Sequence, residues 1–413
     1  MTRALRSYRR VLRHRAYRTL WSAAVISRAG DTVNFVALPL FVYAITRSPA
    51  AVSGLVISEI VGAIGGATVA NPIVDRLPPR AVLIVADVVR CIAAASLAAA
   101  PTAAFAYAVA FILAAATGLF SPTSAALVPR LVPDDELTAA NALQWTAGVV
   151  LQLVLAPLSG LLVAVATARV PFALNALSFL VSALILLRLP RRPALAAPSH
   201  ARSRPFASLG LLWHAQLMRP LLLMQALAAL AVGATSALLV VLARQGYGLS
   251  PTGYGLWLAA IGAGALAGPV LVTALARVAA RTVVSMAYAV RGAGDVLLSV
   301  LPSGATAAAV LALYGVNTSS GMVSFQRLVQ EGVDPELRGR AFALLDGVWQ
   351  SGRLASIAAG GVAASAFGVR PLYAVGGALL VVAALVGAAG LPRSHVAAAL
   401  QAGSAAEASG GRE

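Results

Sequence analysis

The 413-residue sequence contains no lysine, a single cysteine and few acidic residues. The one cysteine, Cys91, excludes a disulfide framework and a multi-cysteine metal site. The four histidines lie in the terminal regions and the central loop, away from carboxylates, so no metal site is expected. No Gly-x-x-x-x-Gly-Lys-[Ser/Thr] loop is present, which excludes ATP hydrolysis by that route. We therefore expect neither a metal ion nor a cofactor.

Charged residues make up only 11% of the chain and hydrophobic residues 60%, which indicates a protein whose solvent is the lipid bilayer. The net charge of +17 would suit a nucleic-acid partner only if the arginines gathered on one soluble face. They stand instead at the ends of apolar runs, so we expect no nucleic-acid partner. The first residues, MTRALRSYRRVLRHRAYR, lack a cleavage pattern and do not resemble a removable signal peptide.

Twelve apolar segments are long enough to cross a membrane. A helix rises ~1.5 Å per residue and the hydrocarbon core is ~30 Å thick, so about 20 apolar residues make one crossing. Backbone groups in lipid must be satisfied within the segment, which favours helices over strands. The sequence thus predicts an all-α integral membrane protein with twelve transmembrane helices. The predicted spans are 19–45, 50–74, 81–100, 103–128, 138–166, 170–188, 220–243, 251–275, 282–301, 304–328, 339–366 and 371–391.

The arginines predict the orientation, because cytoplasmic loops retain positive charge. Of the 31 arginines, 23 lie in the two tails and the even-numbered loops, four in the odd-numbered loops and four within spans. Both termini should therefore be cytoplasmic, in a multi-pass protein of the inner (plasma) membrane.

One long polar break divides the chain into two halves. Its proline, serine and arginine content is typical of a cytoplasmic linker. Within it, SLGLLWHAQ is either a short helix on the membrane face or solvated chain. The predicted regions are a basic cytoplasmic N-terminal tail (1–18), an N-terminal six-helix bundle (19–188), the central linker (189–219), a C-terminal six-helix bundle (220–391) and a cytoplasmic C-terminal tail (392–413).

The two halves contain an internal repeat. Sliding the second half over the first by 201 residues superimposes arginines at matching helix ends or depths. These matches predict two bundles in the same orientation, related by a pseudo-twofold axis along the membrane normal. A substrate path would then lie between the halves. The superimposed arginines are Arg18 on Arg219, Arg76 on Arg277, Arg80 on Arg281 and Arg90 on Arg291.

The loop after the second span resembles the G-x-x-x-D-R-x-G-R-R signature of the major facilitator superfamily. Asp75, Arg76 and Arg80 match this signature, whereas Asn71 and the two prolines before Arg80 depart from it. The resemblance covers nearly the whole chain and implies a secondary transporter, not an enzyme, with no catalytic residues and usually a monomer. In that superfamily the loop helps to hold the halves in one conformation.

A narrower resemblance rests mainly on residues 16 to 90. LWSAAVISRAGDTVNFVALPLFVYAIT, the following SPAAVSGL, and ADVVR with Asp87 and Arg90 resemble the bacterial efflux and secretion branch that includes enterobactin-exporter and macrolide-efflux proteins. In the fifth span, APLSG resembles an export-associated G-P-x-x-G-G pattern and keeps Pro157 and Gly160. The small residues there also permit close approach of a neighbouring helix, and ordinary packing explains them equally well.

Charges within the spans are the main candidates for function. An ionisable residue at a helix centre costs about 2.5–3.5 kcal/mol, so each one requires a partner or a purpose. Several charges lie three or four residues apart, on one helix face, and structural ion pairs are the simplest interpretation. These pairs are Arg28 with Asp31, Asp87 with Arg90 and Arg291 with Asp295.

Glu59 differs because no opposite charge lies within one turn of it. It lies about nine residues, or ~14 Å, into the second span. A carboxylate at this depth can bind and release a proton as its exposure to water changes, so we predict Glu59 and Asp31 as proton-coupling or substrate-contact residues. Alternatively, an arginine (Arg28, Arg291 or Arg353) neutralises Glu59 across helices, and the pair only locks the fold. The remaining charged candidates are Arg28, Asp346 and Arg353.

Residues near mid-span also provide candidates for a pocket that holds a hydrophobic compound, although each could equally serve packing. They are Asn34, Phe35, Trp145 and Trp349. With the branch resemblance, the residues predict proton-coupled export of a small hydrophobic or amphiphilic compound, such as a drug, natural product or siderophore, by alternating access. The alternatives are an importer of the same fold, a membrane receptor that does not transport and a membrane-embedded enzyme. The expected partners are the small molecule, protons and the lipid bilayer.

Overall fold

The computed structural model describes residues 2–74, 77–167, 169–191, 217–274, 278–333 and 337–391, which contain helices and turns but no strand. A short helix, α1 (Thr2–Val11), precedes twelve long ones. The long helices are α2 (Arg15–Thr46), α3 (Pro49–Val74), α4 (Pro79–Ala99), α5 (Ala103–Leu127), α6 (Leu137–Val165), α7 (Arg169–Leu186), α8 (Met218–Ala237), α9 (Pro251–Ala274), α10 (Ala280–Val300), α11 (Gly304–Gly332), α12 (Arg338–Phe367) and α13 (Val369–Gly390).

Ten of the long helices in the described part of the chain are apolar and long enough to cross a bilayer. The other two, α9 and α12, are as long as these ten and pack among them, α9 between α6 and α11 and α12 between α3 and α8. The predicted all-α, twelve-helix membrane fold is confirmed. Helix α8 breaks at Leu238 and continues through a short turn (Leu239–Val241) and a π-helical turn (Leu242–Gly246).

The residues before the first predicted span are largely helical, and they pack against the first half. Helix α1 packs against α6, and α2 begins at Arg15, four residues before the predicted span. The apolar side chains of Val11 and Tyr17 are fully buried there, and this burial explains why a segment rich in arginine folds against the bundle. His14 Nε2 lies 2.9 Å from Glu136 Oε2 at the start of α6, which ties the two segments together.

The two halves repeat the same packing. In the first half α3 packs on α5, α7 on both α2 and α4, α4 on α5, and α2 on α6. In the second half the helices six places later form the same pairs: α9 with α11, α13 with both α8 and α10, α10 with α11, and α8 with α12. This correspondence is the pseudo-twofold that the arginine spacing predicted.

The repeat extends to individual turn residues, 201 positions apart. Thr102 caps α5 by accepting a hydrogen bond from Phe105 N (3.4 Å), and Ser303 caps α11 by accepting from Ala305 N and Thr306 N (3.2 and 3.4 Å). Both are at the N-cap, where a hydroxyl satisfies free amides of the first turn. Similarly, Arg47 (φ 53°) after α2 corresponds to Gly248 (φ 64°) after the π-helical turn of α8.

The halves share a hydrophobic core at one end only. One buried cluster combines residues of both halves, among them Phe41, Phe172, Val241 and Trp257. A second cluster, around Leu20 and Leu131, contains only first-half residues, and a third, around Leu221 and Leu345, contains only second-half residues. We call the shared end, where α2 ends and α3 begins, the closed end. The opposite end, where α2 and α8 begin, is the open end.

Two helix pairs form the seams between the halves, α3 with α12 and α6 with α9, and the pseudo-twofold exchanges them. Glycine makes the close approach possible at both. A Cβ on Gly160 would clash with the carbonyl oxygen of Pro251, and one on Gly361 would lie 2.6 Å from Ser53 Cβ. The neighbour that approaches the small residues of the fifth span therefore comes from the other half.

Replacing Gly160 by leucine should destabilise the closed end, because the side chain has no space beside Pro251. Overpacking of this kind costs about 1–3 kcal/mol. We expect a lower midpoint of thermal unfolding in detergent, measured by fluorescence-detected size-exclusion chromatography. Gly65→Leu is the matched control, since an added Cβ there meets nothing within 4 Å. Equal midpoints for both variants would contradict the described packing of α6 on α9.

Candidate functional site

One face of α2 carries polar and aromatic side chains that a lipid-facing surface would not hold. Arg28, Asp31 and Phe35 follow at intervals of three and four residues, and the Phe35 residue is 54% exposed. Arg28 Nη1 donates to the carbonyl oxygen of Gln144 on α6 (3.3 Å), next to the half-exposed Trp145. Charges avoid hydrocarbon, so this face borders the cleft between the halves. Asn34, by contrast, is buried.

Asp31 belongs to a buried charge cluster centred on Arg90 of α4. Arg90 forms an ion pair with Asp87 on its own helix, and its Nη1 lies 3.6 Å from Asp31 Oδ2 on α2. Ser182 of α7 donates to Asp87 Oδ2 (2.6 Å). The three charged groups differ in exposure: the side chains of Asp87 and Arg90 are buried, whereas that of Asp31 is 37% exposed. Asp31 is therefore the member that water or a substrate can reach.

Aromatic rings enclose the arginine of this cluster. The Cζ atom of Arg90 lies 4.5 Å from the centre of the Phe120 ring and 4.6 Å from that of Phe179. A guanidinium between two ring faces gains cation–π attraction in a site with little water. Asp87 and Arg90 thus form a buried structural pair, as their spacing predicted, and Arg90 links it to the accessible Asp31.

The second half has a similar ion pair around the arginine related by the repeat, although its carboxylate follows the arginine in the chain, whereas Asp87 precedes Arg90. Arg291 of α10 forms an ion pair with Asp295 (Nε to Oδ2, 3.3 Å), and its Cζ lies 3.2 Å from the centre of the Tyr314 ring on α11. The first half adds Asp31, which has no counterpart because Val232 stands at the related position. The two buried arginines therefore share a structural role, and Asp31 makes the first-half cluster different.

Glu59 and Arg353 face each other across the seam between α3 and α12. The two charges attract each other electrostatically, although they lie farther apart than a 4.0 Å ion pair. On this seam Ser53 lies against Gly361, so Glu59 and Arg353 lie further along it, away from the closed end. Of the three arginines that the sequence offered as partners for Glu59, Arg353 is the one in electrostatic contact. The pair therefore connects the two halves.

A cavity of about 550 Å³ opens within the second half. Its lining comes from α8, α10, α11, α12 and α13, mostly from the turns nearest the open end. Asp346 and Trp349 of α12, both singled out in the sequence, lie on its wall. Sequence reasoning missed its other aromatic and amide residues, such as Tyr288, Tyr314 and Gln225, because nothing in their spacing sets them apart from ordinary core residues.

The structure describes only some of the residues that the family resemblance links to conformational change. Asp75 and Arg76 lie outside the described residues, as does most of the central linker with SLGLLWHAQ. Arg80 Nη2 donates to the carbonyl oxygen of Leu187 just after α7 (2.6 Å), a contact within the first half. Pro157 and Gly160 lie on the α6–α9 seam, where Pro157 Cα lies 2.9 Å from the position of a Cβ built on Gly255.

Two pseudo-symmetric helical bundles with a cleft between them form the architecture of a secondary transporter. The sequence matches the profile of the Major Facilitator Superfamily over residues 20–357 and 221–410, so the chain belongs to that superfamily. It is therefore a multi-pass membrane transporter, which acts on a small molecule, and not an enzyme. A curated relative, an uncharacterised MFS-type transporter YfiS of Bacillus subtilis (strain 168), is 25% identical over 389 residues, covering 89% of this chain and 91% of the relative.

Solved structures with the same fold are named for transport of different substrates. The nucleoside transporter NupG superimposes with a TM-score of 0.73 at 13% identity, covering 92% of this chain and 100% of NupG. A bacterial homologue of the iron transporter ferroportin, in an inward-facing state, gives 0.73 at 18% identity, with coverage of 92% and 99%. A D-xylose–proton symporter gives 0.63 at 17% identity, with coverage of 94% and 98%. These similarities establish the fold.

Replacing Arg90 by methionine should strongly destabilise the protein, because Asp87 would remain buried without its counter-charge. Breaking a buried ion pair from one side costs about 3–5 kcal/mol. Adding Asp87→Asn to the same chain should recover part of that loss, as measured by thermal unfolding in detergent. Arg327→Met is the control: its pair with Glu331 (2.7 Å) is about half exposed, and such pairs contribute about 0–1 kcal/mol. Equal losses for Arg90→Met and Arg327→Met would contradict the buried cluster.

Proposed function

We propose that this transporter exports small hydrophobic or amphiphilic organic compounds in exchange for protons, by alternating access in the cytoplasmic membrane. One observation carries the proposal: the halves share a core at the closed end, while the open end leads to a polar cleft and an aromatic cavity. A site lined by aromatic rings and a few polar groups is suited to an organic compound with apolar surface. We also propose that it acts as a monomer.

The two seams are suited to rocking of one half against the other. They are related by the pseudo-twofold, so loosening both at the closed end lets the bundles approach each other at the open end. At the closed end, Gly160, Gly255 and Gly361 contact backbone atoms or small side chains of the other half. Most helices pack mainly within their own half, α6 being an exception because its most extensive contact is with α9, and we propose that each half moves as one body.

The orientation follows from the arginines. Helices α2 and α8 begin at the open end, and the described residues that adjoin the arginine-rich tails and loops lie on that side. Positive charge is retained in the cytoplasm, so the open end faces the cytoplasm and both termini are cytoplasmic. A compound in the cytoplasm or the inner leaflet then reaches the cavity directly, which supports export. The resemblance of residues 16 to 90 to the efflux and secretion branch points in the same direction.

Asp31 and Glu59 are the carboxylates that we propose for proton coupling. Each faces an arginine, Arg90 and Arg353 respectively, and each is incompletely buried. Protonation would remove the negative charge and weaken that attraction. For Glu59 the weakened contact joins the two halves, so proton binding there favours separation of α3 from α12. Proton uptake from outside would thus accompany the change of state that releases the compound.

Glu59→Gln and Asp31→Asn should reduce proton-driven transport to about a tenth or less, equivalent to at least ~1.4 kcal/mol of barrier. Transport of a panel of fluorescent hydrophobic compounds is measured in inverted vesicles with an imposed proton gradient. Asp135→Asn, an exposed carboxylate in the turn before α6, is the matched control and should transport normally. Transport that persists unchanged with a protonophore would refute proton coupling. Accumulation in right-side-out vesicles instead would identify an importer.

The orientation makes a separate prediction, tested with single cysteines in a Cys91→Ala background. Ala100→Cys, in the exposed turn after α4, should react in intact cells with a membrane-impermeant maleimide, because that turn lies outside. Asp135→Cys, exposed on the other side, should react only after the cells are permeabilised. The reverse labelling pattern would place both termini outside and overturn the assignment of the open end.

A further inference from the structure

The cavity in the second half has aromatic rings on several of its walls. Five rings from three helices line it: Tyr288 on α10, Tyr314 and Phe325 on α11, and Phe342 and Trp349 on α12. The face of an aromatic ring carries partial negative charge and attracts cations, most strongly for tryptophan. Rings on several sides of one space therefore favour an apolar group that carries positive charge.

Two charged residues line the same cavity, and only one of them is already compensated. Arg291 forms an ion pair with Asp295 at 3.3 Å and lies on the Tyr314 ring, so its charge is balanced within the protein. Asp346 has no ion pair or hydrogen bond with another described residue, and it is an exposed residue of the cavity lining. The cavity thus has one uncompensated charge, which is negative.

Closure of the open end makes this charge important. In the open state water solvates Asp346. If the halves close over the cavity, as the proposed cycle requires, that water is removed and an unpaired carboxylate becomes costly. A cationic ligand provides the missing counter-charge, whereas a neutral or anionic ligand does not. Closure is therefore favoured when the bound compound is positively charged.

We infer that this cavity is a binding site for hydrophobic organic cations, with Asp346 as the counter-charge and Trp349 among its aromatic walls. The inference rests on the proposed function, because it defines the charge class of the transported compound. An anionic compound is disfavoured because Arg291 already forms an ion pair with Asp295 and lies on the ring of Tyr314. A metal ion is disfavoured because no group of three or more potential ligands occurs in the described residues.

Two ions of the same shape and opposite charge test the inference: tetraphenylphosphonium and tetraphenylborate. Binding to the purified full chain is measured by equilibrium dialysis of the labelled ions, against empty micelles of the same detergent. We expect saturable binding of the phosphonium and at least about tenfold weaker binding of the borate. In Asp346→Asn we expect the phosphonium affinity to fall about tenfold and the preference for the cation to disappear.

Two further variants separate charge from structure. Glu331→Gln removes one carboxylate from an exposed pair in the same half, outside the cavity lining, and should leave phosphonium affinity unchanged. Trp349→Leu should weaken phosphonium binding several-fold, because it removes a ring face. Borate binding to Asp346→Asn at wild-type strength or better shows that this variant is folded. Equal binding of both ions by the wild type, or unchanged phosphonium affinity in Asp346→Asn, overturns the inference.

The binding test is independent of transport. Export of neutral or anionic compounds that needs Glu59 but not Asp346 would leave the proposed function in place and reject the cation site. Conversely, phosphonium binding that depends on Asp346, in a chain that moves no compound in vesicles, would support the site and reject the proposed function.

Discussion

Hydrocarbon cannot solvate a charge, and this constraint determines where every ionisable group of the membrane-embedded helices lies. Arg90 and Arg291, one in each half, are fixed by a carboxylate on their own helix and by aromatic rings. Asp31 and Glu59 face arginines on other helices, and Asp346 faces open space. The embedded charges therefore sort into a fixed set, which stabilises each bundle, and an accessible set at the cleft and the cavity.

The same division distinguishes what is symmetric in the molecule from what is not. The repeat reproduces helix pairs, caps and the buried arginines, because the helices of both bundles pack in the same topology. The accessible carboxylates break the symmetry: Asp31 and Glu59 belong to the first half, and Asp346 and the cavity belong to the second. In the mechanism that we propose, one of two similar halves carries the proton-binding carboxylates and the other carries the ligand cavity. The α3–α12 seam, through Glu59 and Arg353, connects them.

The closed end shows how packing sets the conformation. Glycines on α6 and α12 bring the halves close enough to form one shared hydrophobic core, while the clusters near the open end remain separate. The α6–α9 seam is as extensive as many helix pairs within a half, whereas the α3–α12 seam is smaller. The contacts between the halves at these two seams hold the closed end together.

Much of this architecture was predictable from the sequence because its cause is local. Segment length and hydropathy determine the spans, and a repeat of 201 residues superimposes arginines, so the twelve helices and two bundles follow. Spacing also paired Asp87 with Arg90 and Arg291 with Asp295. The third pair predicted by spacing, Arg28 with Asp31, is wrong, because Asp31 lies beside Arg90 and Arg28 donates to the carbonyl oxygen of Gln144. Only the tertiary structure decided that Glu59 faces Arg353, that Asp31 joins the Arg90 cluster, and that Tyr288 and Tyr314 share a cavity with Asp346. The physical reason is that these contacts join helices far apart in the chain, and a side chain's partner across helices depends on how those helices pack, which no local pattern records.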